Sequence, residues 1–269
     1  MTFFKKYSSF HKTFFLVFAL INISLFIAPL FFTGSLSSIF NFASIIGLIS
    51  TFAGLFAAIY TARGEVLCYL WGFLNALVYI YIVFTGDMYG QAILFTFFKL
   101  PMQVIGYKAW KKSLANSDDD VVEVKKLTNR NWVTLVTSFF VIWIAYGIFL
   151  KFLPQIFDLL FNKTITPDSD FIVDALASTL TILAVILSTK RFMEQWYLWL
   201  SANSIGILLF TISIIQNKSF TLTTFAGMII WTQFTVNAVY GYINWRKLNR
   251  KATENEYKNN KKEECIATI

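Results

Sequence analysis

The residues best suited to chemistry lie in Glu194–Asn203, EQWYLWLSAN, at the head of a long apolar run. Trp196, Trp199 and Asn203 follow i, i+3, i+7, so a helix places all three on one face. An earlier apolar run, WGFLNALVY, sets Trp71, Asn75 and Tyr79 at i, i+4, i+8. Indole and phenol faces hold flat rings, and a carboxamide between them hydrogen-bonds what the ring carries. At one offset of 128 residues Trp71 pairs with Trp199, Asn75 with Asn203 and Arg63 with Arg191. Two copies of one unit are therefore expected, each offering an aromatic and amide face to a shared site.

Other polar residues in apolar runs also need a reason, because amides and charges are costly inside a bilayer. Gln233, Asn237, Tyr240 and Asn244 follow i, i+4, i+7, i+11, a stripe that will not face lipid. Gln103 and Gln91 are its counterparts in the first unit. Plain interhelical hydrogen bonding, at about 0.6 kcal/mol each, is the competing reading for all of these amides. The matched positions of Asn75 and Asn203 favour the site. Lys99 and Pro101 sit near the middle of one span, where the proline should kink the helix and could make a hinge. Lys99 suits a water path, an acid partner or a lowered pKa, but not a retinal link, since the deep spans hold no counter-ion. Glu194 is most simply a first-turn acid favoured by the helix dipole, and a gating role is the alternative. Tyr240 joins Lys99, Pro101 and Glu194 as a gating or hinge candidate. Trp110 and Trp245 end their helices beside Lys and Arg, as residues of an interfacial belt do.

What is missing narrows the function. There is no GxxxxGK[ST], no HExxH and no GxSxG, and the only histidine, His11, lies in the expected N-terminal tail. No enzyme, cofactor or metal site is expected. Of 269 residues, 57% are hydrophobic and 14% charged, and the mean hydropathy is +0.60. Soluble domains run nearer a quarter charged. The chain reads as an all-α integral membrane protein with the lipid bilayer as its partner. A net charge of +8 does not call for nucleic acid if the basic residues gather on one side of the membrane. Cys68 and Cys265 form no disulfide framework.

Eight spans position these residues, at 13–33, 38–62, 65–85, 88–110, 131–153, 170–189, 194–215 and 219–245. With the N-terminus inside, the inner segments hold 19 Lys and Arg and the outer loops 3, Lys151, Lys163 and Lys218. That asymmetry places both termini in the cytoplasm. Lys5, Lys6 and Lys12 precede an apolar run too long for a signal peptide, so the first helix is retained. The loop carrying Asp118–Asp120 is the longest inner connection and shows no chemical motif, and the polar tail after Lys247 should be mobile. The helix ends Gly106-Tyr107-x-x-Trp110-Lys111-Lys112 and Gly241-Tyr242-x-x-Trp245-Arg246-Lys247 repeat at an offset of 135. The division is then an N-terminal helix (1–37), a first three-helix repeat (38–112), a loop and inverting linker helix (113–169), a second repeat (170–247) and a tail (248–269). One extra helix thus precedes a 3+1+3 core of parallel repeats, a transporter architecture with its site at the repeat interface.

Trp and Tyr faces with Asn and Gln between them suit a flat, polar, ring-containing solute. Ring stacking is worth about 1–3 kcal/mol per ring, and a desolvated cationic ring adds about 2 kcal/mol. The 3+1+3 core, the ExWxxW element at Glu194, Trp196 and Trp199, and the paired GYxxW[KR]K ends resemble the PnuC family of bacterial vitamin transporters, over roughly residues 40–247. The architecture is similar to that of the SWEET sugar transporters. The resemblance implies facilitated uptake of nicotinamide riboside across the inner membrane, followed by trapping through cytoplasmic phosphorylation, and it implies a trimer. By matching position it puts Trp196, Trp199 and Asn203 on the binding helix, faced by Asn75, Tyr79, Gln233 and Asn237. Thiamine or riboflavin transport on the same fold, or a non-transporting sensor or binding subunit, are the alternatives.

Overall fold

The computed structural model describes residues 8–115, 121–168, 170–217 and 222–267. Lys5, Lys6, Asp118–Asp120 and Lys218 lie outside them. The chain is a bundle of helices: α1 (Ser9–Thr33), α2 (Phe42–Arg63), α3 (Leu67–Thr85), α4 (Tyr89–Leu94), α5 (Leu100–Leu114), α6 (Asn129–Phe161), α7 (Phe171–Thr189), α8 (Gln195–Asn217) and α9 (Leu222–Ala267). Each of the eight apolar runs falls on this set, with α4 and α5 sharing one run. Among the described residues, α1, α2, α3, α6 and α7 are long and apolar enough to cross a membrane. Exposed Val133, Phe140, Val141, Ile144 and Ile148 run along α6, a face suited to lipid.

Local chemistry sets the boundaries. Ser8 caps α1 by accepting from the His11 amide at 3.3 Å. His11 therefore lies on the first helix and not in a tail, and it is 2% exposed. Asn41 caps α2 in the same way through the Ser44 amide at 2.9 Å. The linker helix α6 runs for 33 residues, well past its expected end at 153, and contains Pro154. The polar tail is likewise helical rather than irregular, because α9 continues unbroken for 46 residues to Ala267. The proline in the fourth run acts otherwise than by breaking its helix. A π-helical turn, Phe95–Lys99, joins α4 to α5, with the Leu100 amide bonded to the Phe95 carbonyl. The wider turn sets Pro101 in the first turn of α5, where its missing N–H costs little.

Packing ties the two halves together. Helix α2 packs on α3 and α9, α5 on α3 and α7, and α8 on α7 and α9. At the end carrying Arg63, Arg191, Lys111 and Arg246, here the basic end, the contacts are reciprocal. The Trp110 indole on α5 donates to the Ser188 carbonyl of α7 at 3.0 Å, and the Trp245 indole on α9 donates to the Thr61 carbonyl of α2 at 2.9 Å. Both indoles are fully buried. The expected belt position is therefore wrong for Trp110 and Trp245, which are core residues whose N–H groups find carbonyls across the halves. Below them Gly106 admits the Tyr69 ring and Gly241 admits the Trp196 indole, at approaches a Cβ would forbid.

The backbone corrects the sequence register by one residue. After α2 the amides of Gly64 and Glu65 bond to the carbonyls of Thr61 and Tyr60. After α7 those of Arg191 and Phe192 bond to Ser188 and Leu187. Gly64 (φ +74°) and Arg191 (φ +65°) both take the left-handed conformation. The matching offset at this turn is 127, not 128. Arg191 thus corresponds to Gly64 rather than Arg63, and Tyr69 to Trp196. Carried along the helices, Asn75 corresponds to Ala202, and Asn203 to Ala76.

Candidate functional site

Three aromatic rings and one ammonium converge in the middle of the bundle. Tyr79 of α3 packs on Phe95 of the π turn with centroids 4.4 Å apart. Lys99 Nζ lies 4.4 Å from the Phe95 centroid and 5.9 Å from that of Trp199 on α8. This group joins one half of the molecule to the other. Lys99 and Trp199 are half-buried, and Asn203, one turn beyond Trp199, is buried. Both readings of Lys99 as a lining residue and of Trp199 as a ring face rest on this arrangement.

The amides of the first half divide between packing and this interior. Asn75 Nδ2 donates to the Ser50 carbonyl at 2.8 Å and to the Ser50 hydroxyl at 3.2 Å, tying α3 to α2. Gly54 leaves room on α2 for both Asn75 and Phe234 of α9. Trp71 packs against Phe56 of α2 in a tilted pair with centroids 4.6 Å apart. The Gln103 carboxamide lies against Gly72 on the neighbouring helix. Gln91 Nε2 donates to the Ser178 hydroxyl of α7 at 3.3 Å.

The stripe on α9 is used largely as a seam. Asn22 Nδ2 of α1 donates to Gln233 Oε1 at 2.9 Å. Asn237 Nδ2 donates to the Ala58 carbonyl at 3.0 Å, and Asn244 Nδ2 to the Ala62 carbonyl at 2.9 Å. Asn244 is therefore bonded to α2 rather than simply hydrated. Each of the two deeper amides keeps one buried atom, Gln233 Nε2 and Asn237 Oδ1, with no partner among the described residues. A donor and an acceptor one turn apart remain for water or a ligand. Tyr240 stacks on Phe10 at 4.0 Å, meets His11 edge-on at 4.5 Å and hydrogen-bonds the Ser8 hydroxyl at 3.1 Å. The structure thus places Tyr240 against the start of α1.

Trp196 and Trp199 part company although they share a helix face. Trp196 is 2% exposed and meets Trp245 edge-on at 5.8 Å inside the basic-end core. Glu194 Oε1 accepts from the Leu127 amide at 3.1 Å. Leu127 belongs to an extended strap, 121–128, laid across the basic end. The Val122 amide bonds to the Gly64 carbonyl at 3.0 Å, and the Lys125 amide to the Arg191 carbonyl at 2.9 Å. The Met193 amide returns to the Lys125 carbonyl at 2.9 Å, and Asn249 Nδ2 reaches the Val124 carbonyl at 3.0 Å. Val122 and Val124 are buried in the core beneath, while Arg191 contacts Glu123 and Ser113. Pro101 is exposed on α5.

Phe95, Asn22, Ser50 and the strap do not stand out in the sequence reading. Asn22 carried the same signal as Asn75, an amide in an apolar run, but on a helix set aside as extra. Alternation in Val122-Glu123-Val124 was the strap's signal. Among the described residues no group of His, Cys, Asp and Glu could hold a metal ion.

Comparison with known proteins agrees with this architecture. The family model described as nicotinamide mononucleotide transporter matches residues 44–247. The nicotinamide riboside transporter PnuC of Neisseria mucosa is 26% identical over 216 residues, covering 79% of this chain and 76% of that protein. The protein of the same name from Haemophilus influenzae is 28% identical over 207 residues, covering 77% and 81%. The crystal structure of the vitamin B3 transporter PnuC superposes with a TM-score of 0.68 at 23% identity, covering 93% of this chain and 95% of that one. The matched segment takes in α3, the π turn, α8 and the apolar part of α9, every element that frames the central rings. The chain belongs to the nicotinamide mononucleotide transporter family, that of the PnuC membrane transporters.

Proposed function

We propose that the protein carries nicotinamide riboside across the bacterial inner membrane by facilitated diffusion, and that cytoplasmic phosphorylation traps it. The family match over residues 44–247, with relatives named for that substrate, carries this reading. The ring contacts of Tyr79, Phe95 and Trp199 support a stacking site. Asn203 and the unpaired atoms of Gln233 and Asn237 supply hydrogen bonds for a carboxamide or ribose. Trp71, Asn75, Gln103 and Gln91 line or brace this site, and Trp196 supports it from the basic end. A nucleoside needs no more from the protein than stacking, hydrogen bonding and a path.

The architecture we propose is eight spans, one N-terminal helix before a SWEET-like 3+1+3 core of parallel repeats. The reciprocal indole bonds and the matched turns favour it. The basic end faces the cytoplasm by charge asymmetry, so both termini do too. A homotrimer is the oligomer the resemblance implies.

Proteoliposomes with purified protein should take up labelled nicotinamide riboside down its gradient and stop at equality. Uptake against a gradient, or none at all, overturns the reading. A neutral ring vitamin such as riboflavin is the second reading, and the Lys99 ammonium beside Trp199 favours it. Competition by riboflavin but not by nicotinamide riboside would select it.

A further inference from the structure

We propose that Asn22, on the first helix, is a positioning residue: it fixes which way round the Gln233 carboxamide stands, so that Gln233 and Asn237 offer a ligand one donor and one acceptor. That pair complements a ring bearing a primary carboxamide. This rests on the reading of the α9 amides as part of the ligand site.

The two ends of a carboxamide are alike in shape and opposite in chemistry, so its neighbours decide which way round it stands. Here main-chain carbonyls decide, because a carbonyl only accepts. Asn22 Nδ2 donates to the Phe18 carbonyl at 2.7 Å, which identifies that end of Asn22 as the nitrogen. The same Nδ2 donates to Gln233 at 2.9 Å, so Oε1 must stand there and Nε2 must point away. One turn on, Asn237 Nδ2 donates to the Ala58 carbonyl at 3.0 Å, which turns Oδ1 away. Asn22, Gln233 and Asn237 are 5%, 1% and 3% exposed. At that depth Gln233 Nε2 and Asn237 Oδ1 are without a partner among the described residues. Buried polar atoms are ordinarily filled, by protein, water or ligand.

The pair lies close to the face of α3 that carries Tyr79. Phe234, which falls between Gln233 and Asn237 in the chain, and Asn75 of α3 both approach Gly54 of α2, at 3.5 Å and 3.2 Å from where a Cβ would stand. Ala58, the partner of Asn237, is one turn along α2 from Gly54, and Tyr79 is one turn along α3 from Asn75. Helix α1 precedes the family segment 44–247, yet through Asn22 it sets the polarity of a residue inside that segment. A ring carboxamide satisfies this edge in full: its carbonyl accepts from Nε2 and its NH2 donates to Oδ1. A methyl ketone lacks the donor, and an aryl amine lacks the acceptor. Charge plays no part in this choice, since one pyridinium can bear any of the three.

The test uses the full chain in lipid nanodiscs and three pyridinium ribosides that differ at one substituent. These are nicotinamide riboside, 3-acetylpyridine riboside and 3-aminopyridine riboside, and dissociation constants are measured for each. The wild type should bind the carboxamide more tightly than either analogue by on the order of tenfold, the effect of one unmatched buried polar atom. Asn22→Leu frees Gln233 to turn and bring Oε1 to the ligand, so the amine should gain on the carboxamide by several-fold. Asn22→Ser, whose hydroxyl can donate or accept, frees Gln233 likewise and serves if the leucine is not tolerated. A merely structural loss would weaken all three ribosides alike. Asn237→Leu removes the acceptor and should erase the preference over the ketone.

Equal binding of the three ribosides by the wild type, the result if a water fills both atoms, overturns the proposal without any variant. An unchanged ratio of amine to carboxamide in the Asn22 variants overturns it too. In both cases the nicotinamide riboside reading stands. Failure of the wild type to bind any of the three overturns that reading, and the role of Asn22 with it.

Discussion

The two ends of the bundle are closed by different means. At the basic end three indoles, Trp110, Trp196 and Trp245, pack in one buried core with Tyr69, Cys68, Val122 and Val124. Two of their N–H groups cross from one half to the other, and the strap ties both helix turns to α9. The opposite end is polar. Lys163 donates to the Tyr89 hydroxyl at 2.6 Å, and that hydroxyl donates to Asp87 at 2.6 Å. The Tyr89 hydroxyl holds the ammonium and raises the Lys163 pKa above its ordinary value. The apolar contacts there run through the linker helix, with Tyr89 and Ala175 packed on Leu150 and Leu153. A buried aromatic core loses its apolar burial when it opens, whereas an exposed polar relay opens at little cost. The two ends thus differ in what holds them, a buried aromatic core at one and an exposed polar relay at the other.

The largest break in this comparison should come from charging the strap. The double variant Val122→Asp, Val124→Asp would force two carboxylates into the core, which they would leave by releasing the strap. Cys68, a free thiol 4% exposed within that core, reports the opening. In a Cys265→Ser background its maleimide labelling should quicken by on the order of tenfold, a shift of about 1.4 kcal/mol. Unchanged labelling would mean that the strap does not close the basic end.

Next in size is Gly241→Ala, which sets a Cβ against the rigid Trp196 indole. Overpacking of this kind costs about 1–3 kcal/mol, a fall in Tm of several degrees. Gly72→Ala is its control, because the neighbour there is the flexible Gln103 carboxamide, which can swing away. Equal losses in the two variants would contradict the rigid packing described for the basic end. Trp245→Phe and Trp110→Phe each remove one of two donors from a carbonyl that keeps its turn amide, at about 0.5–1.5 kcal/mol for the lost hydrogen bond. Because the bonds are reciprocal, the two losses in Tm should be similar, and a loss confined to one would break the symmetry between halves. The smallest effect belongs to Lys163→Met at the opposite end. No resolvable change in Tm is expected there, and a large one would place structural weight on the polar relay.

Much of this was legible in the sequence, and the failures share a cause. Apolar runs gave the helices, since hydrocarbon demands them, and the paired GYxxW ends pointed to the residues that cross between halves. Composition could not show which way an indole faces. Trp110 and Trp245 carry the signature of a belt, yet their N–H groups sit where carbonyls of the other half end, a fact of tertiary packing alone. The register slipped for a related reason. Trp71 with Trp199 and Asn75 with Asn203 match letter by letter, while the left-handed turn residues, a glycine in one half and Arg191 in the other, do not. Backbone equivalence outlasted the residue identity. At the candidate site, spacing and depth singled out Trp199, Tyr79 and Lys99, whose side chains lie near one another in the structure, but Phe95 could not be told from the chain's other phenylalanines until the π turn aimed it. The α9 amides were visible as a stripe, and only the carbonyls of Ala58 and Ala62 reveal that the stripe is chiefly a seam.

The strap has one property with consequences for how such closures persist. In each of its bonds to Gly64, Arg191, Met193, Glu194 and Asn249 it contributes a main-chain atom. Any residue but proline supplies the amides, and every residue supplies the carbonyls. Provided that two alternate positions stay greasy, the lettering of this segment is free to drift while the lock endures. Homologous carriers with unrelated spelling there can be bolted in the same fashion, invisibly to any motif.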